Sequence, residues 1–370
     1  MMNREVCVKN YKLFIKNRKK VNRFKIIILI LMTLVMGVNI NAQDVSFSQV
    51  YSAPVYLSPS FTGFTSGGRV ILNYRDQWPS IPNTFKTFAF SFDQYVDYLN
   101  SGFGLLFMSD EQGGGQLVVQ TAGLNYAYEL AITSDLFVRP GLQFKYAGFR
   151  IDPNKMTDVR SEGTRHPWLD LYSDFETRQH HKLDASASLM VYHQHFWAGF
   201  TFDHLVKNNI SFTDIETILP IKTSIFGGGK WKYIEATRGR AEQSVTLAGM
   251  FRRQQSFQQL DLGLYWNVQP IEVGLWYRGI PGVSTGGLSN NDALIFSLGI
   301  TVSQVHLAYS YDLTLSKLAG YSGGSNEFSV IYRFNRQGTY TPNRGAVPCG
   351  EHAWGLGEVT KYKPKARRLF

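Results

Sequence analysis

The chain has 370 residues, of which 14% are aromatic and only 18% charged, against the roughly 25% charged residues of ordinary soluble domains. With 34 glycines and 26 phenylalanines, this composition suits many short strands joined by turns and argues against a soluble α/β enzyme. The formal net charge of +10 sits almost wholly in the first 42 residues, where Arg4, Lys9, Lys12, Lys16, Arg18, Lys19, Lys20, Arg23 and Lys25 oppose only Glu5. The remainder carries +2, so the basic footprint of a nucleic-acid binder is missing and no nucleic-acid partner is expected.

Residues 1–42 read as a signal peptide. The basic stretch precedes an apolar run from Ile26 to Val38, and Asn39-Ile40-Asn41-Ala42 ends on a small residue before Gln43. The alternative, an uncleaved anchor, has too short a run, since about 20 residues are needed to span a bilayer. Of the two cysteines, Cys7 leaves with this segment and Cys349 remains. An exported chain without an internal disulfide needs another source of order, which a closed hydrogen-bonded barrel supplies.

Residues 43–66 contain Pro54 and Pro59 and no clear alternation. They read as an N-terminal arm, either periplasmic or plugging a lumen.

Residues 67–335 are dominated by period-2 patterning. Arg139, Gly141, Gln143 and Lys145 alternate with Val138, Pro140, Leu142, Phe144 and Tyr146. Lys182, Asp184, Ser186 and Ser188 stand opposite Leu183, Ala185, Ala187 and Leu189. Such alternation means half-buried strands, because successive side chains point to opposite faces. About fourteen segments of this kind run from 69–76 to 326–334, several near the nine to eleven residues of a tilted transmembrane strand. The fold class expected is all-β: a transmembrane antiparallel β-barrel of about 14 strands.

Connection lengths sort by parity. Ile132–Asp135, His193–His195, Val268–Pro270 and Val302–Gln304 are short, whereas Ile151–His180, Leu205–Lys222, Gly279–Asp292 and Leu313–Ser325 are long. Long outer loops with short periplasmic turns belong to outer-membrane barrels. Tyr and Trp near strand ends, among them Tyr74, Trp78, Trp231, Tyr233, Trp266 and Tyr309, suit girdles at the headgroup level. Residues 336–370, with Lys361, Lys363, Lys365, Arg367 and Arg368, read as a basic periplasmic tail.

Enzymatic readings are weaker than bland ones. His193 and His195 share a face of a strand but sit at a turn with no third ligand nearby. His180 and His181 adjoin a loop rich in Asp and Glu whose geometry nothing fixes. Gly227-Gly228-Gly229 lacks the Lys-Ser/Thr of a phosphate loop. Gly282-Val283-Ser284-Thr285-Gly286 spells a nucleophile elbow, but inside what reads as a polar loop and not between a strand and a helix. No catalytic residue, metal site or cofactor is expected. The inward Arg139, Lys145, Lys182, Asp184, Asp261, Glu272 and Arg278 either line an aqueous pore or pair within a plugged lumen.

Three blocks resemble a known family. QDVSFSQVYSAPVYLSPSFTGF (Gln43–Phe64), NYRDQWPSIPNTFKTFAFSFDQYV (Asn73–Val96) and AYSYDLTLSKLAGYSGGSNEFSVIYRF (Ala308–Phe334) are similar to the PorP/SprF family of type IX secretion system membrane proteins. Departures are Ser58-Pro59-Ser60 where Asn-Pro-Ala is usual, Asn326 where His is common, and the longer tail around Cys349. The resemblance implies an accessory outer-membrane barrel of Bacteroidota-type bacteria that anchors the export apparatus or helps export and display particular cargo, gliding adhesins included. Implied partners are outer-membrane lipid, the periplasmic lipoprotein ring, peptidoglycan-linked proteins and secreted cargo. A porin-like channel is the alternative, and an outer-membrane enzyme ranks third.

Arg75, Asp76, Gln77 and Trp78 end the first strand, while Tyr311, Asp312, Ser325 and Glu327 flank the last long loop. Closure of a barrel would bring these eight together at one seam, as a folding device or as a surface for partners.

Overall fold

The computed structural model describes residues 44–65, 67–82, 84–133, 135–151, 178–210, 217–234, 242–285, 288–316 and 318–334. The expected signal segment and the tail lie outside these residues, as does the centre of the loop after Ile151.

The wall is one antiparallel sheet. Its strands are β1 (Gly68–Gln77), β2 (Phe85–Val96), β3 (Ser101–Gln112), β4 (Leu117–Tyr128), β5 (Leu130–Ala131), β6 (Phe137–Ile151), β7 (Arg178–Tyr192) and β8 (Phe196–Asp203). They continue as β9 (Lys222–Ile234), β10 (Gln243–Gln254), β11 (Phe257–Val268), β12 (Ile271–Thr285), β13 (Leu288–Val302), β14 (Val305–Thr314) and β15 (Ser325–Phe334). β4 and the two-residue β5 both pair with β6 and form one wall strand interrupted at Glu129, so the barrel has fourteen strands. It closes where β1 pairs with β15, from Gly68↔Phe334 to Gln77↔Ser325.

Alternation explains why these segments become strands, and the sense of burial is inverted relative to a soluble protein. In β6, Arg139 is fully buried, while Phe144 on the opposite face is 63% exposed. In β13, Ile295 is buried and Leu298 is 58% exposed. Inner positions carry the buried Arg69, Asp93, Asp261 and Glu327; outer positions carry Leu, Phe, Ile and Tyr. A sheet that turns apolar side chains outward all round suits a hydrocarbon surrounding. No helix among the described residues is long and apolar enough to cross a membrane; the crossing elements are strands.

One end of the barrel carries the longer connections, including 78–84, 204–221 and 315–324, and the other carries 97–100, 132–136, 193–195, 269–270 and 303–304. The sorting is incomplete. Gly113–Gln116 is short although it lies at the long-loop end. The segment 279–292, expected as a long loop, is instead mostly strand, with Ser284↔Ser289 and Thr285↔Leu288 still paired. Its Gly, Ser and Asn residues suggest a loop by composition. Beyond the apolar belt, however, a hairpin needs only backbone pairing, and register shifts beside Gly279 accommodate the change.

The arm before β1 forms three short helical turns, Val50–Ser52, Pro54–Leu57 and Pro59–Phe61. Pro54 and Pro59 each open a turn, where a missing N–H costs nothing and the fixed φ suits the helix. The Ser58 hydroxyl accepts from the Ser60 amide at 3.3 Å and caps the last turn. The arm's partners are inward residues of β1, β2, β6, β7, β9, β10, β12, β14 and β15, so it lies within the ring of strands.

Candidate functional site: the arm and the inner wall

Period-2 geometry aims charged side chains of β15, β1, β14, β12, β11 and β10 into the lumen near its long-loop end. These charges pair sideways. Glu327 on β15 contacts Arg75 on β1 at 3.3 Å, and Arg75 contacts Asp312 on β14 at 2.9 Å. Arg278 on β12 reaches Asp312 at 3.4 Å and Asp261 on β11 at 2.9 Å, and Asp261 meets Arg252 on β10 at 2.5 Å. A second series joins Lys222 to Asp203 at 3.3 Å and Lys145 to Asp203 and Asp184 at 3.5 and 3.2 Å. Buried charges of this kind require such partners.

The arm's first residues read this wall. Asp44 takes Lys222 and His204, each at 2.8 Å. Arg252 donates to the Ser46 hydroxyl at 2.7 Å, and Arg278 to the Phe47 carbonyl at 2.9 Å. The Ser48 amide donates to Glu327 and its hydroxyl to Asp312, both at 2.6 Å, with Arg75 against the same hydroxyl. The Gln49 amide donates to Glu327 at 3.0 Å, and its carboxamide reaches Ser310 at 3.3 Å.

Burial disfavours the charge on both Asp44 and His204, yet the ion contacts reverse the effect. Asp44 is held well below the ordinary carboxylate range by Lys222 and His204, and His204 is raised by Asp44 and Asp184. His204 also meets Asp184 through Nδ1 at 2.7 Å. A neutral imidazole has one N–H, so serving carboxylates on both nitrogens requires the protonated ring.

Below this ionic tier lies an apolar one. Tyr51 stands edge-on to Trp197 at 5.8 Å and near Trp276 at 5.9 Å, and Phe61 packs on Phe226 at 5.3 Å. Toward the short-turn end, Arg139 donates to the carbonyls of Ser60 (3.1 Å) and Thr62 (2.5 Å) and pairs with Glu129. Arg69 pairs with Asp93 at 2.9 Å, and Asp93 accepts from the Gly63 amide at 2.8 Å. The arm backbone touches the wall directly here. A Cβ on Gly102 would lie 2.0 Å from the Thr62 carbonyl oxygen, and one on Gly141 would lie 2.4 Å from the Ser60 nitrogen.

Of the eight seam residues, Arg75, Asp312, Glu327, Gln77 and Ser325 occupy inward positions, and Gln77 pairs with Ser325 in register. Asp76 and Tyr311 occupy the outward positions of their strands. Arg75 and Asp76 therefore face opposite sides of the sheet, and Arg75 pairs with Asp312 and Glu327. Trp78 joins the two rim loops: its amide donates to the Gly324 carbonyl at 2.9 Å, and its ring meets Phe85 at 5.7 Å. Tyr311 donates to the Gly323 carbonyl at 3.4 Å.

Other sequence candidates fall apart as sites. His193 stacks on Phe196 at 5.3 Å and His181 on Tyr146 at 5.4 Å. The acidic residues of 152–177 lie outside the described residues, and no group of three or more metal-ligating side chains occurs among the described ones. Ser284 belongs to a strand hairpin and not to a strand–turn–helix elbow. Gly227 accepts a hydrogen bond from the Tyr51 hydroxyl at 3.3 Å. Sequence reasoning missed Asp44, Ser46, Ser48, His204, Lys222 and Arg252. The parity of Lys222 and Arg252 within their strands was the available signal.

Comparison with known proteins adds the following. Residues 39–332 match the family described as "Type IX secretion system membrane protein PorP/SprF". No curated protein matches by sequence. Among solved structures, the chain is similar to the CymD monoaromatic hydrocarbon channel (11% identity, 82% of this chain and 97% of that one, TM-score 0.44). It is also similar to the P. putida toluene transporter TodX (10% identity, 75% and 93%, TM-score 0.40). A third is the Acinetobacter baumannii outer membrane protein Omp33 (9% identity, 74% and 100%, TM-score 0.37).

Proposed function

The chain belongs to the PorP/SprF family of type IX secretion system membrane proteins, and on that premise we propose that it is an accessory, non-enzymatic subunit of the export apparatus in the outer membrane. The N-terminal arm acts as a resident plug, and the barrel serves as an anchor whose rims hold cargo or other secretion components.

One observation carries this reading. Polar contacts from Asp44 to Gln49 and backbone-to-glycine packing from Ser60 to Gly63 hold the arm to both ends of the inner wall. An interior committed to its own arm suits a docking body better than a conduit. Arg75, Asp312 and Glu327 then position the arm. Trp78, Tyr311 and Ser325 stand where the loops 78–84 and 315–324 are tied together, a rim suited to partner contacts.

Deleting the gene and comparing the exported proteins tests the role. The proposal expects loss of specific surface or secreted proteins, restored by the wild-type gene. An unchanged set of exported proteins, with altered uptake of small solutes, would replace it with the channel reading.

A further inference from the structure

We infer that the long-loop half of the lumen is a preformed peptide-recognition site, occupied in cis by Asp44–Gln49 and able to take a peptide of the same chemistry in trans. Its ligand is defined by the wall: a carboxylate first, a hydroxyl third, a backbone carbonyl fourth, a hydroxyl fifth and a carboxamide sixth. This deepens the plug reading and rests on it.

Two features separate this site from the rest of the arm's bed. First, the wall charges do not depend on the arm. Arg75, Asp312, Arg278, Asp261 and Arg252 pair with one another in sequence around the inner face. Withdrawing Ser46–Gln49 would therefore leave a charged surface still neutralised and still in register. Second, the two halves of the arm are held differently. Ser60–Gly63 is locked by backbone contact with Gly102 and Gly141, where no side chain fits, whereas Asp44–Gln49 is held through discrete hydrogen bonds that another chain can reproduce.

The contacts discriminate. Lys222 and His204 select an anion at the first position. Arg252 binds the Ser46 hydroxyl and Asp312 the Ser48 hydroxyl, and the chain bends at Ser48 and Gln49. Glu327 accepts two successive backbone amides and Arg278 donates to a backbone carbonyl, which fixes chain direction. Bonds from wall side chains to the peptide backbone fix its path, and contacts to its side chains supply specificity.

In the wild type the tethered arm competes at an effective concentration on the order of millimolar, so micromolar free peptide should not enter. The test uses full-length protein in detergent and a fluorescent hexapeptide, Asp-Val-Ser-Phe-Ser-Gln, followed by anisotropy. The variants Asp44→Ala/Ser48→Ala and Ser46→Ala/Gln49→Ala weaken the arm and leave the wall intact. Both should bind the peptide at least about ten-fold more tightly than wild type, as expected on removing a cis competitor, and a scrambled peptide should not bind. Heat-modifiable migration verifies that each barrel is folded. Folded arm variants that bind the peptide no better than wild type, or bind the scrambled peptide equally, would overturn the site. Bilayer conductance of the same proteins keeps the two readings apart. Raised conductance without peptide binding fails the site alone, whereas peptide binding by a barrel that conducts freely as wild type fails the plug alone.

Discussion

Arg75 on β1 and Asp312 on β14 meet at 2.9 Å although 237 positions separate them. The contact exists because β15 pairs with both strands, and a third partner, Glu327, reaches Arg75 from β15 itself. The same three residues surround Ser48 of the arm. Barrel closure and arm placement therefore share one set of charges.

Arg75→Ala leaves two buried carboxylates without their shared cation. Breaking a buried pair costs about 3–5 kcal/mol, so the unfolding free energy from urea titration in lipid vesicles should fall by that amount and the midpoint with it. Arg75→Lys should lose less, because an ammonium keeps the charge but not the planar fork. An unchanged midpoint for the alanine variant would mean that the seam does not depend on this cation.

Gly102→Val places side-chain atoms where the Thr62 carbonyl lies. Overpacking of this kind costs about 1–3 kcal/mol, and β3 is hydrogen-bonded to a strand on each side, so the arm is what gives way. Limited proteolysis should cut the arm of this variant faster than that of wild type. Equal cutting would place the arm's attachment elsewhere.

Leu298→Arg puts a charge on the outer face, where this side chain is exposed. Near the bilayer midplane such a charge costs about 2–4 kcal/mol. The folded yield in vesicles should drop, while Leu298→Phe folds as wild type does. Tolerance of the arginine would contradict a lipid-facing surface.

Attachment of Asp44 to the wall should depend on pH at both ends. His204 has a raised folded value, so its contribution is complete below the ordinary 6.5 and is lost as pH rises through the folded value. Asp44 has a lowered one, so its contribution is complete above 3.8 and is lost as pH falls through its folded value. In a Cys349→Ser background, spin-label distances from Val45→Cys to Leu247→Cys should be narrowest between those limits and broaden above and below them. His204→Gln should remove the alkaline transition and keep the acidic one. A distance distribution indifferent to pH would rule out the ionic pin.

Most of the wall is legible in the sequence because each strand carries its own pattern. Arg139 and Gln143 inward, with Leu142 and Phe144 outward, need no knowledge of the neighbours. The hairpin at 279–292 was not legible, since outside the apolar belt nothing but backbone pairing distinguishes strand from loop. At the site, the inward parity of Asp261, Arg278 and Asp312 could be read, but not their sideways partners, which depend on register between strands and on closure. The arm was the least legible part. Asp44, Ser46 and Ser48 are ordinary polar residues until the wall supplies Lys222, Arg252 and Glu327, each roughly 180 to 280 positions away.

Single-molecule conductance in planar bilayers tests the central claim, that the barrel's interior belongs to its own arm. Purified full-length protein should insert and remain nearly silent, with steady conductance appearing only in variants that loosen the arm, such as the wall substitution Gly102→Val. Porin-like conductance from the wild type, unchanged by those variants, would contradict the account.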